Sequence, residues 1–368
     1  MLERAVALLE AGRAEGLHQG AQLEVRRTGA PPISIAVGEA RVGVPMQPDT
    51  LLPWFSCTKV CTAIAVAQQW ERGRLDLEAP VADLLPQFAA GGKGAVTVRH
   101  VLTHTGGFRT LQPPADPWTL EWDDLLARIC ATPLERGWVP GARAGYHAVT
   151  GFHVLGELVQ QVDGRAFADY VSEEILEPLD MADSWMALTE ERHASYGDRM
   201  GVVSDADRRG GFTPVRGLDS WRGFRRASPS GGGVGPMGDL VKVAEALLGG
   251  GEREGERILQ PETATALTSR HRVGLHDETF GMVIDWGLGV MVNSWAYRRQ
   301  PTSYGYGDLA SPVAFGHGGQ QTSIVFADPA HGLAVALCAN GRPGEPANHR
   351  RTQPVLTAVY EDLGLTGP

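Results

Sequence analysis

The chain has 368 residues, 43% apolar and 21% charged, and its 33 basic and 43 acidic side chains leave a net charge of -10. This length suggests two domains or one large one and excludes a stapled mini-protein, and the composition is that of a globular fold, neither disordered nor fibrous. The acidic balance gives no electrostatic footprint for nucleic acid, and no run approaches the roughly 18 apolar residues needed to span a bilayer.

In chain order, the N-terminal stretch carries Glu3 and Glu10 through its apolar residues and reads as an amphipathic helix, not a signal peptide. Cys57, Cys61, Cys130 and Cys338 are too few and too irregular for a disulfide scaffold. Both features predict a cytoplasmic protein. Two β-like runs, 21–26 and 33–37, flank the turn-like Thr28-Gly29-Ala30-Pro31-Pro32 and predict a hairpin. A strong helix follows over 56–72, stopped by Gly73 and apolar or small on nearly every side from Val60 to Ala67, so it is expected inside the core. Residues 83–232 alternate helical stretches (98–103, 122–131, 150–162, 167–176) with Gly/Pro/Trp loops, and little there looks like a strand.

A Gly-rich segment then opens a helix over 239–248, and alternation returns in strands over 286–292, 313–316, 323–327 and 333–337 before a terminal helix near 352–363. The order predicts an α/β fold whose sheet is assembled from both ends of the chain. Residues 1–82 plus 233–368 would form a discontinuous α/β domain and 83–232 a helical insert, with the active site between them.

Ser56 and Lys59 stand three apart at the start of the buried helix, which puts both side chains on one face and leaves the Ser N–H at the helix terminus. A serine nucleophile needs such neighbours: a base for its proton and a donor for the oxyanion. A lysine in an apolar setting loses its proton more easily, because burial disfavours the charged form. The spacing alone is weak, and a surface Ser beside a snorkelling Lys would look the same. Lysine scarcity strengthens it: only Lys59, Lys93 and Lys242 are lysines against 30 arginines, and arginine cannot replace a lysine that must be neutral.

Residues 45–108, with PDTLLPWFSCTKVCTAIAVAQQWERGRLDLEAPVADLLPQF and TVRHVLTHTGGF, resemble the serine β-lactamase-like superfamily in its class C branch. That branch includes family VIII esterases, D-amino-acid-specific peptidases and transacylases, and the likeness extends over nearly the whole chain in motif order. It implies a β-lactamase/transpeptidase-like fold, an antiparallel sheet flanked by helices. The family's Ser-x-x-Lys falls on Ser56 and Lys59, its Tyr-x-Asn on Tyr146-His147-Ala148, and its Lys-Thr-Gly or His-x-Gly on His317-Gly318-Gly319. The resemblance implies Ser56 as acylated nucleophile, Lys59 and Tyr146 sharing general-base and proton-shuttling work, and the backbone N–H groups of Ser56 and Gln320 as oxyanion hole. His317, Gly318, Gly319, His147, Ala148, Trp286 and Tyr304 are the expected substrate contacts. No cofactor and no metal are expected.

Two departures shape the expected activity. Ala148 replaces the family's Asn, which weakens a β-lactamase or D-peptidase reading and favours an esterase or transacylase. His317 in place of Lys leaves less fixed positive charge for a β-lactam carboxylate. The partners implied are a small-molecule acyl donor and an amine or alcohol acceptor, with no nucleic acid and no membrane. The alternatives are a β-lactamase, a D-peptidase or amidase, and a non-catalytic binding protein of the same fold.

Other residues read as structural. His104 is expected to fix a helix end, and His100 with His104 lacks both an intervening Glu and a third ligand. The Gly233 to Gly238 run matches G-x-G-x-x-G, yet Pro236 and Asp239 argue against a phosphate. His147 either faces the site or fills the gap beside Tyr146. Of Trp54, Trp118, Trp221, Trp286, Trp295, Tyr304 and Tyr306, most are expected in packing and some in an apolar substrate pocket. Arg225 and Arg226 read as solvated surface.

Overall fold

The computed structural model describes residues 2–294, 297 and 304–367; Trp295 lies outside them. An eight-stranded antiparallel sheet forms its centre. In chain order the strands are β1 (Gly20–Arg27), β2 (Ile33–Arg41), β3 (Val44–Pro45), β4 (Asp285–Trp286), β5 (Met291–Val292), β6 (Phe315–Gly319), β7 (Ser323–Asp328) and β8 (Leu333–Ala339). Their spatial order is β4-β5-β6-β7-β8-β1-β2-β3. The two ends of the chain therefore meet in the β1–β8 pair, in register from Ala21 opposite Ala339 to Arg27 opposite Leu333.

Alternation decides what each face buries. Leu23, Val25, Ile324, Phe326, Val335 and Leu337 join a cluster with Leu9, Val355, Leu356 and Val359, from the packed pair α1 (Glu3–Ala14) and α5 (Glu345–Asp362). Val325, Ala327, Ala334, Ala336 and Cys338 face the other way, into the cluster containing α2 (Thr58–Glu71), α3 (Thr150–Asp163) and α4 (Met237–Leu248). Gln22 points to that side as well, where its Oε1 accepts the Met237 N–H at 3.1 Å and satisfies one free amide at the start of α4. Helix α2 is buried continuously from Thr58 to Gln69 and runs through the core as expected.

Several boundaries differ from the sequence reading. The single strand expected over 286–292 is two short strands, β4 and β5, because Gly289 turns the chain at φ +86°. The helix expected over 167–176 changes from α to π at Ser172. The terminal helix starts at Glu345 and tolerates Pro354 in its interior. Short strands do occur within 83–232: Ser204–Ala206 and Phe212–Pro214 pair with each other, and the former also with Gly341–Arg342. None of the helices is long and apolar enough to cross a membrane among the described residues.

Candidate active site

Ser56 lies in a 3-10 turn, Phe55–Cys57, that leads directly into α2. Phe55 just before it adopts φ +48°, a left-handed conformation that a bulky side chain enters only at a cost. The surroundings hold it there. Ser323 Oγ donates to the Trp54 carbonyl at 2.6 Å, Trp54 Nε1 donates to the Gly235 carbonyl at 3.0 Å, and Cys57 Sγ donates to the His317 carbonyl at 3.2 Å. This turn presents a partly exposed Ser56 while Cys57 faces inward with no exposure. Burial pushes the Cys57 thiol up to about 12, so no thiolate competes with the hydroxyl.

Lys59 is 0% exposed. Its Nζ donates to the carbonyls of Ala148 at 2.8 Å and Ser230 at 2.7 Å and lies 3.1 Å from Ser56 Oγ. Burial holds its ammonium well below the usual lysine range. Tyr146, from the loop before α3, places its phenol oxygen 2.8 Å from Ser56 Oγ. Burial moves this phenol the opposite way, above the usual tyrosine range. Burial thus shifts the two groups around Ser56 in opposite directions: the amine is made to give up its proton more easily and the phenol to hold its own more tightly.

The His317-Gly318-Gly319 segment forms most of β6 beside this pair. A methyl group on Gly319 would stand 2.4 Å from the Trp54 carbonyl oxygen, so only glycine lets the strand end lie against the nucleophile turn. The chain then turns sharply, with Gln320 at φ +25° and Gln321 at φ +63°. The Gln320 side chain is exposed. A methyl on Gly318 would stand 2.0 Å from the Tyr304 ring, whose hydroxyl donates to Glu345 Oε1 at 3.0 Å. His317 Nδ1 lies 2.7 Å from the Gly318 carbonyl oxygen. A carbonyl can only accept, so Nδ1 carries the proton. Burial and the nearby Lys59 bring this imidazole down to about 3, and the ring is neutral at physiological pH.

Three expected substrate contacts have enclosed side chains. His147 and Trp286 are each 0% exposed and His317 1%, so none of these side chains offers a substrate a surface. His147 fills the gap: its Nε2 accepts the Phe108 N–H at 3.3 Å and its ring lies 4.6 Å from the Phe108 ring. Trp286 packs behind Tyr146, with centroids 5.8 Å apart. Ala148, by contrast, is exposed, with its carbonyl on Lys59. Trp54 and Tyr306 are core residues, whereas Trp118 is 49% exposed. A methyl on Gly231 would touch both the Trp118 ring, at 3.0 Å, and the Phe55 backbone, at 3.5 Å, so this indole stands at the mouth of the site. Arg225 and Arg226 both bind Glu121, and Arg226 also donates to the Trp118 carbonyl.

Ser230 and Asp277 escaped the sequence reading. The first acts through a carbonyl, which no side-chain pattern reveals. The second receives the Tyr146 N–H at 3.1 Å from a segment remote in sequence. His104 supports the same loop: its Nδ1 accepts the His147 N–H at 3.1 Å and its carbonyl accepts the Gly145 N–H at 2.9 Å. Among the described residues no group of three or more His, Cys, Asp or Glu side chains is placed to hold a metal ion.

The Beta-lactamase family model matches residues 5–359. The chain is 30% identical to Esterase/beta-lactamase LipL of Mycobacterium tuberculosis, over 92% of this chain and 80% of that protein. It is 28% identical to Esterase EstB of Burkholderia gladioli, over 83% and 81%. The crystal structure of a family VIII carboxylesterase superposes with a TM-score of 0.79 at 26% identity, covering 98% of this chain and 97% of that one.

Proposed function

The chain belongs to the Beta-lactamase family, and we propose that it works as a serine acyl enzyme on an ester, thioester or activated amide, passing the acyl group to water or to an amine or alcohol. The observation that carries this reading is the convergence of two proton-handling groups on one hydroxyl: Lys59 Nζ at 3.1 Å and Tyr146 OH at 2.8 Å from Ser56 Oγ.

Lys59, whose burial favours loss of its proton, takes the Ser56 proton as Oγ attacks the acyl carbon. The phenol, which retains its proton, relays one to the departing oxygen or nitrogen, and Lys59 replenishes it. The N–H groups of Ser56 and Gln320 offset the charge on the tetrahedral oxygen. The acyl-enzyme then passes its acyl group to an acceptor deprotonated by the same pair. The site lies between the segment 83–232 and the remainder of the chain. All four cysteines are buried free thiols, which supports a cytoplasmic setting.

The substrate class follows from charge and shape. With His317 neutral, β6 offers no cationic side chain to a carboxylate, and Ala148 brings no side-chain amide to the site. Trp118 adds an apolar plate at the mouth. These features favour an uncharged ester with an aryl or extended acyl group, and the esterase names of two relatives support it. A fluorophosphonate should label Ser56, and an intact-mass chase of the acyl-enzyme with water, amines and alcohols separates hydrolase from transferase. Turnover retained in Ser56→Ala would end this reading. The double name of the Mycobacterium relative favours a second one, β-lactam hydrolysis; efficient nitrocefin turnover with rapid deacylation would establish it.

A further inference from the structure

Behind Tyr146 lies a buried ion pair that the acyl-transfer reading leaves unused. Arg272 and Asp277 side chains are 1% and 0% exposed and meet at 3.0 Å. Burying two charges is costly, and a pair repays the cost only when its remaining donors and acceptors are filled. Here they are. Arg272 Nη1 donates to the Thr103 carbonyl at 3.1 Å, and Nη2 and Nε donate to the Ile284 carbonyl at 2.9 and 3.2 Å. Asp277 Oδ1 accepts the N–H groups of Tyr146, Thr279 and Phe280 at 3.1, 2.9 and 3.1 Å.

The hold on Tyr146 is two-sided. While Asp277 takes its N–H, Thr279 Oγ1 donates to its carbonyl at 3.1 Å. Glu278 N donates to the Ala144 carbonyl at 3.0 Å, and the Phe280 ring packs 4.9 Å from the Tyr146 ring. One short turn, 277–280, therefore grips the backbone and ring of the residue whose phenol reaches Ser56. The pair in turn fixes this turn to the core through Thr103 and Ile284.

We propose that Asp277, anchored by Arg272 and assisted by Thr279, is the positioning residue that aims the Tyr146 phenol at Ser56 Oγ. This rests on the reading of Tyr146 as a proton relay. A generic staple for the fold would use the same contacts, so the test must isolate action through Tyr146. Asp277→Asn keeps an acceptor of the same shape but leaves Arg272 without its counter-charge, which loosens the turn. Thr279→Val removes the second hold and leaves the ion pair intact.

With p-nitrophenyl butyrate, Asp277→Asn should lower kcat about 10²-fold, the cost of misplacing a catalytic group by about an ångström, while KM changes less than about threefold. Thr279→Val should lose about tenfold in kcat with the same KM signature. In a Tyr146→Phe background neither substitution should cost anything further, because a positioning residue has nothing left to position. Wild-type kcat in folded Asp277→Asn, or losses that add to that of Tyr146→Phe, would overturn the proposal. If Asp277→Asn does not fold, Thr279→Val decides by the same two criteria. A fully active Tyr146→Phe would instead remove the relay reading itself, and the positioning role with it.

Discussion

Lys59 Nζ lies 3.1 Å from the Ser56 hydroxyl while the carbonyls of Ala148 and Ser230 take up two of its hydrogens. Lys93 is buried as completely, and its Nζ donates to the carbonyls of Ala90, Cys130 and Thr132. Burial lowers the affinity of both for a proton. Only Lys59 reaches a hydroxyl. Two of the three lysines are therefore buried amines cradled by carbonyls, and contact with Ser56 is what distinguishes the base.

Exchanging these lysines should separate the two roles. Lys59→Ala and Lys59→Arg should each reduce kcat/KM by roughly 10² to 10⁴, because arginine fills the space but cannot give up its proton. Lys93→Met should leave the kcat/KM of the folded enzyme near wild type and lower its melting temperature. Ester turnover and thermal denaturation measured on the same preparations check both.

Activity should rise with pH along a limb governed by Lys59, whose burial places its deprotonation well below the ordinary lysine range. His317 and His147 titrate at about 3, so neither should contribute a limb near pH 6.5. The kcat/KM profile between pH 4 and 10 tests this, and an acid limb unchanged in His317→Asn is the expected outcome.

Stability should show those imidazoles where activity does not. In the unfolded chain they take up protons near 6.5, in the folded protein only at about 3. Between these values the unfolded state binds more protons, so their contribution is complete above pH 6.5 and is lost as the pH falls towards 3. The buried His18, also lowered to about 3, adds to the same window. Urea midpoints from pH 7 down to pH 4 should fall accordingly, and fall less in His147→Gln.

Gly319→Ala should disable the site without dismantling the sheet. Its methyl would meet the Trp54 carbonyl oxygen at 2.4 Å and Ser323 Oγ at 2.2 Å, pushing β6 and Gln320 away from the nucleophile turn. Loss of one oxyanion donor costs about 10² to 10³ in kcat. Fluorophosphonate labelling rates alongside circular dichroism test whether the fold survives while acylation slows.

Trp118→Ala should act on substrate choice. Removing the exposed indole should raise KM for aryl and long-chain esters several-fold while leaving acetate esters nearly unaffected, since a small acyl group does not extend to the mouth. A panel of p-nitrophenyl esters of increasing chain length measures the effect.

What the amino-acid sequence determined by itself is local. Three residues of helix bring Lys59 to the face of Ser56, and the alternation of Leu23 and Val25 with Gln22 assigns the two faces of β1 whatever the rest of the chain does. The buried helix and the faces of β1 were legible for that reason, whereas the antiparallel fold and the motif positions at Tyr146 and His317 followed from the resemblance to the serine β-lactamase-like superfamily. The tertiary structure decided the rest. It brought Tyr146 to Ser56 from 90 positions away, enclosed His147 and Trp286, left Trp118 in the open, and set Asp277 behind the phenol. Which side a loop residue faces depends on the partners that close around it, and those partners lie far away in sequence, beyond the reach of any periodicity.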